Sequence, residues 1–141
     1  EDEAMMRSGA PAFLDTSFVV RYLTDDPPDM AARAAAIIDS ERQLVLSELV
    51  LLETAYVLTS VYRVPRAQVA DALLDLVQRS NLQLANLAKP RALAALSMCR
   101  DAQRCSFTDA LLWAQALDSG AERIYSFDRR FPAEGLLVDH G

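Results

Sequence analysis

The chain has one histidine, His140 at the penultimate position, and one lysine, Lys89. It has two cysteines and four glycines, and no apolar run near the roughly eighteen residues of a membrane span. Each scarcity argues against a class of chemistry. With its only imidazole in a tail expected to be disordered, a Ser-His-Asp or Cys-His apparatus is disfavoured. Cys99 and Cys105 match no metal-ligand spacing, and in a chain without a secretory signal both are expected free in a reducing cytosol. Gly9, Gly120, Gly135 and Gly141 form no glycine-rich strand–helix turn, which speaks against a phosphate-cradling loop. Lys89 precedes a helix-opening proline, whereas a phosphatase or receiver-type pocket would set a lysine opposite its carboxylates. The opening EDEAMMRSGAP has no basic stretch followed by an apolar one, unlike a secretory signal. Met5 or Met6 is a candidate natural start.

The composition is that of a folded chain. Of 141 residues, 52% are hydrophobic and 24% charged, enough for one domain with a real core. The expected division is an N-terminal extension at 1–11 and a single domain at 12–141. The net charge is −6. That would count against a nucleic-acid binder unless bound cations offset the acids. Apart from Lys89 every cationic residue is arginine, the better bidentate phosphate ligand.

Three carboxylates stand alone in long uncharged segments. Asp15 is the only charge between Arg7 and Arg21, Glu53 the only one between Glu48 and Arg63, and Asp109 the only one between Arg104 and Asp118. A fourth, Asp128, ends IYSFD before Arg129 and Arg130. A carboxylate drawn into an apolar environment needs a compensating partner. With no local Lys or Arg beside the first three, shared divalent cations are the economical partner.

Periodicity and punctuation predict alternating strands and helices. Strands are expected at 12–14, 43–46, 82–84, 123–127 and 135–138. Helices are expected over 17–23, 29–40, 48–62, 65–80, 90–103 and 109–119. Ser47 and Thr108 are the expected N-caps of the third and last helices, and Gly120 the terminator of the last. Apolar residues nearly encircle helix 48–62, so it should be central and buried. Strands separated by helices indicate an α/β fold with a short, mostly parallel central sheet, whose carboxyl ends gather function. AFLD and YSFD both deliver an Asp at a strand end, Asp109 falls in the first turn of its helix, and Glu53 in the second turn of its own. All four acids are expected at one edge. Hard oxygen ligands without His or Cys favour Mg²⁺ or Mn²⁺ over zinc. Such a site suits phosphodiester hydrolysis that leaves 5′-phosphate and 3′-hydroxyl ends.

At these residues the chain resembles the PIN-domain nucleases, and among them the VapC toxins of type II toxin–antitoxin systems. The matching segments are FLDTSFVVRYLTDD at 13–26, LVLLETAYVL at 49–58, SFTDALLWA at 106–114 and IYSFDRRF at 124–131. The resemblance implies a PIN-like fold and a cytoplasmic, metal-dependent endoribonuclease with Asp15, Glu53, Asp109 and Asp128 as its acidic quartet. It also implies a homodimer and a VapB-type antitoxin that blocks the site. Ser17 stands where the family often has Asn or Ser and is a candidate polar support. The chain departs from the family at Arg130 and Ser106, where some relatives carry a further acid.

Plainer readings stand beside these. Asp15 and Asp109 taken singly are typical capping or turn residues. Glu53 fits an exposed helix face, and FDRR a solvated turn. Arg129 and Arg130 are candidate phosphate contacts, although adjacent surface charges are usually only solvated. Trp113 is read as core before base-stacking, and Glu48, Asp71 and Asp75 as solvent-exposed. The rival function is a PIN-like scaffold, a binding subunit with a degenerate metal site. For the metal-free protein, mutual repulsion predicts that Asp15→Asn and Asp109→Asn each stabilise.

Overall fold

The computed structural model describes residues 10–101 and 104–141, so most of the expected extension at 1–11 lies outside the described residues. The elements run in order β1 (Ala12–Phe13), α1 (Thr16–Thr24), α2 (Pro28–Ile38), β2 (Leu44–Leu46), α3 (Glu48–Ser60), α4 (Arg66–Val77), β3 (Leu82–Leu84), α5 (Lys89–Met98), α6 (Phe107–Asp118), β4 (Arg123–Tyr125) and β5 (Leu137–Asp139). This is the expected α/β alternation. None of the described helices is long and apolar enough to cross a membrane.

The sheet is parallel throughout but divided. β1, β2 and β3 pair side by side, with Phe13 opposite Val45 and Val45 opposite Gln83. β4 and β5 pair separately, with Ile124 opposite Val138. β3 has the expected bounds, and the other strands are shorter than expected. Tyr125 ends β4, while Phe127 is exposed and Asp128 lies in the following turn. β5 falls later than expected, after Gly135 and Leu136.

Local chemistry fixes the helix ends. Pro28 opens α2 with its fixed φ, at a position whose N–H needs no partner. Ser47 caps α3 by accepting from Leu49 N at 3.1 Å. Gly120 takes φ +82° just beyond α6, a conformation cheap only for glycine. The cap of α6 corrects the sequence reading. Ser106, not Thr108, accepts the Asp109 N–H at 3.0 Å, and the helix begins at Phe107.

The core joins Leu44 and Leu46 of β2 and Leu82 of β3 to Leu51 and Leu58 of α3, Leu73 of α4 and Leu96 of α5. Trp113 is 4% exposed within it, with Nε1 donating to Glu134 O at 2.9 Å, which bears out the core reading. Helix α3 is less central than expected. It buries Leu51, Thr54, Ala55 and Leu58 but exposes Leu49, Glu53 and Tyr56. An all-round apolar sequence does not reveal which face the neighbouring helices cover. His140 is held rather than loose, its Nδ1 lying 2.7 Å from Ser126 O.

Candidate active site

Asp15 follows β1 directly. Leu14 N donates to Val45 O, extending the pairing, and Asp15 then turns the chain as N-cap of α1. Its Oδ2 accepts from the Ser17 hydroxyl at 2.8 Å and from Ser17 N at 3.4 Å. These bonds, the hydroxyl first, hold the exposed carboxyl below its ordinary range. Ser17, the candidate polar support, thus bonds Asp15 through both its hydroxyl and its N–H. Thr16, unremarked in the sequence, donates to Glu53 Oε1 at 2.6 Å across a separation of 37 residues. Asp15 and Glu53 are thus held by consecutive hydroxyl residues at the start of one helix. No local sequence signal announces the Thr16 contact, because it is purely tertiary.

Asp109 and Asp128 form the second half. Their side chains lie near enough that each shifts the other's titration, in opposite directions. Burial first, then the nearby Asp128 side chain and its charge, raise Asp109 above the ordinary carboxylate range. The Ser106 hydroxyl, bonded to the same carboxyl, partly offsets that rise. Asp128 moves the other way, chiefly because Arg130 N donates to its Oδ1 at 2.8 Å. Ser106 and Arg130, the two departures from the family pattern, each steady one member of this pair. Arg66 anchors the approach to α6 from elsewhere, its Nε donating to Cys99 O at 2.6 Å and its Nη2 to Cys105 O. Its guanidinium also lies over the Phe107 ring at 4.6 Å.

The quartet is assembled as these two halves. Among the described residues, no three His, Cys, Asp or Glu side chains stand close enough together to hold one ion jointly. The premise of burial also needs correction. Asp15, Glu53 and Asp128 are exposed and Asp109 is half-buried. Among the described residues the buried carboxylate is Glu48, expected at the surface but only 5% exposed. It accepts from Asn86 N at 2.9 Å, Leu87 N at 2.7 Å and Asn86 Nδ2 at 3.2 Å, securing the turn after β3. Backbone donors, invisible in a charge pattern, are what make its burial tolerable. Arg129 and Arg130 are exposed beside Asp128. Asp71 and Asp75 lie at the surface as expected, Asp71 paired with Arg100 at 2.7 Å. Cys99 and Cys105 are free and buried, and burial pushes the Cys99 thiol up to about 12.

With parallel strands delivering Asp15 and Asp128 to loop positions and α6 bringing Asp109 to the latter, the arrangement meets a family pattern. Residues 12–134 match the PIN domain. The chain belongs to the PIN domain family. PIN domains are generally metal-dependent nucleases, so the fold is of a nuclease type. The match runs from β1 to Glu134 and includes all four candidate acids. No curated protein is similar enough in sequence to count as a relative.

Proposed function

We propose that this PIN domain is an endoribonuclease, the toxin of a VapBC-type system, acting in the cytoplasm on RNA. The observation that carries the reading is the PIN domain match over residues 12–134, inside which Asp109 and Asp128 lie near each other. Like charges so placed repel unless a proton or a cation sits between them. The donor chemistry, all carboxylate oxygen, fits a hard ion such as Mg²⁺ or Mn²⁺. Asp109 and Asp128 would hold it; Asp15 and Glu53 are the further candidate ligands, although the four do not gather round one point among the described residues. Bound there, the ion would help activate the attacking water and steady the leaving 3′ oxygen. The chain's own groups do the rest. Ser17 and Thr16 fix Asp15 and Glu53, Ser106 and the Arg130 N–H fix the other pair, and the exposed Arg129 and Arg130 would meet phosphates.

The homodimer and the VapB-type antitoxin belong to the same proposal. Leu49 and Tyr56, exposed one helical face apart from the core on α3, offer apolar surface for one of them. The rival reading, a scaffold with a degenerate metal site, draws on the separation of the quartet into two halves. Mn²⁺ soaking separates the two: anomalous density between Asp15 and Asp109 supports the nuclease, and its absence at millimolar metal supports the scaffold. Mapping RNA ends after expression of wild type beside Asp15→Asn tests the activity. New 5′-phosphate and 3′-hydroxyl ends are expected from wild type alone; identical end profiles would refute it.

A further inference from the structure

Between α1 and α2 lies a cavity of about 220 Å³, lined by Ser17, Phe18, Arg21, Met30 and Arg33. Ser17 ties it to the candidate active site, since the same residue donates to Asp15. Two of its five lining residues are arginines. Arg79, Arg91, Arg100, Arg104 and Arg123 each pair with a carboxylate. Arg21 and Arg33 are among the described arginines that do not; Arg21 donates only to the neutral Tyr62 hydroxyl, at 3.2 Å. Two uncompensated guanidiniums at one cavity of a −6 chain mark a place for an anion. Phe18 and Met30 add an apolar, polarisable wall of the kind on which a base or ribose rests.

We propose that this cavity is a nucleotide subsite for the RNA strand: Arg21 and Arg33 take a backbone phosphate, and Phe18 with Met30 take the adjoining base or ribose. The proposal rests on the ribonuclease reading and deepens it. Size favours a nucleotide over a protein segment. The cavity falls below the roughly 300 Å³ at which drug-sized ligand pockets begin, and a helix with side chains is about 10–12 Å across. Charge favours it too, since a basic segment suited to the acidic quartet would be repelled by the two arginines.

The test is binding of a labelled, mixed-sequence single-stranded RNA, followed by fluorescence anisotropy across a salt series. It uses the Asp109→Asn protein in Mg²⁺, so that the strand stays intact, with wild-type cleavage assayed in parallel. Adding Arg33→Gln should weaken binding about fivefold at low salt and reduce the slope of log affinity against log salt by about 0.7, the share of one single-strand phosphate. Arg33→Lys should keep most of that slope. Arg42→Gln, a charge-matched control before β2, should change neither. Phe18→Leu should weaken binding with the slope intact, which separates stacking from charge. If wild type cleaves RNA while Arg33→Gln and Arg21→Gln bind with unchanged affinity and slope, the subsite is overturned and the nuclease reading stands; a protein occupant then explains the cavity better. If wild type neither cleaves nor binds RNA, both fail together.

Discussion

Asp15 and Asp109 look alike in the sequence, each a lone acid opening a helix, yet their surroundings push them in opposite directions. Asp15 is stabilised as an anion by Ser17. Asp109, partly buried and near Asp128, is held above its ordinary range. The shared expectation that loss of either charge stabilises the protein therefore divides. A carboxyl raised in the folded state contributes stability that is present below its unfolded pKa and lost as pH rises through the folded one. At neutral pH that contribution is gone, so Asp109→Asn should raise Tm. Asp15→Asn should leave Tm unchanged or lower it, since the depressed pKa means the anion is the favoured form above the ordinary carboxylate range. Both variants should lose RNA cleavage. Thermal scans at pH 7 and pH 4 check the signs, with the Asp109→Asn gain shrinking in acid; equal gains for both variants would contradict the assignment. Glu48 gives a separate residue-level expectation. Glu48→Ala strands the Asn86 and Leu87 N–H groups at a cost of about 1–3 kcal/mol each, measurable by urea unfolding.

At the scale of elements, the two halves of the candidate site rest on helix starts. Asp15 is itself a cap, while Asp109 is set by one, Ser106. Ser106→Ala should cost about 1 kcal/mol through loss of the α6 cap. It should also raise the Asp109 pKa further, because the hydroxyl that lowers it is gone. Urea unfolding checks the first effect and carboxyl titration by NMR the second. An Asp109 pKa unmoved by the substitution would show that Ser106 is only a cap. Much of this level was legible in the sequence. Proline at N1 of α2, Ser47 at the α3 cap and Gly120 beyond α6 all act locally, and local chemistry can be read from local residues. The Thr16–Glu53 bond, the Arg66 anchor and the burial of Glu48 could not be read, because each depends on partners more than thirty residues away. The exposed side of α3 was likewise hidden, since an all-apolar helix carries no mark of the face its neighbours cover.

For the whole molecule, the order of strands and helices announced a parallel α/β fold, and the PIN domain match agrees. Its division into a three-stranded and a two-stranded sheet was not foreseeable, because strands of two or three residues leave little pattern to pair. The same brevity leaves Asp128 in the turn after β4. A −6 chain with an acidic quartet should attract cations, and the proposed antitoxin is expected to insert an Arg or Lys into that site. Replacing the inserted Arg by Ala should restore cleavage while the complex persists on size-exclusion chromatography; full inhibition by the Arg-less partner would point to occlusion of the RNA path instead. The central claim is that paired acids on a PIN fold cut RNA with the aid of a divalent ion. Its most direct measurement is cleavage of single-stranded RNA by purified wild type under Mg²⁺ or Mn²⁺, beside excess EDTA and beside Asp109→Asn. Cleavage with metal alone, abolished by chelation and by the substitution, is the predicted result; cleavage undiminished in EDTA, or retained at near wild-type turnover by Asp109→Asn, would contradict it.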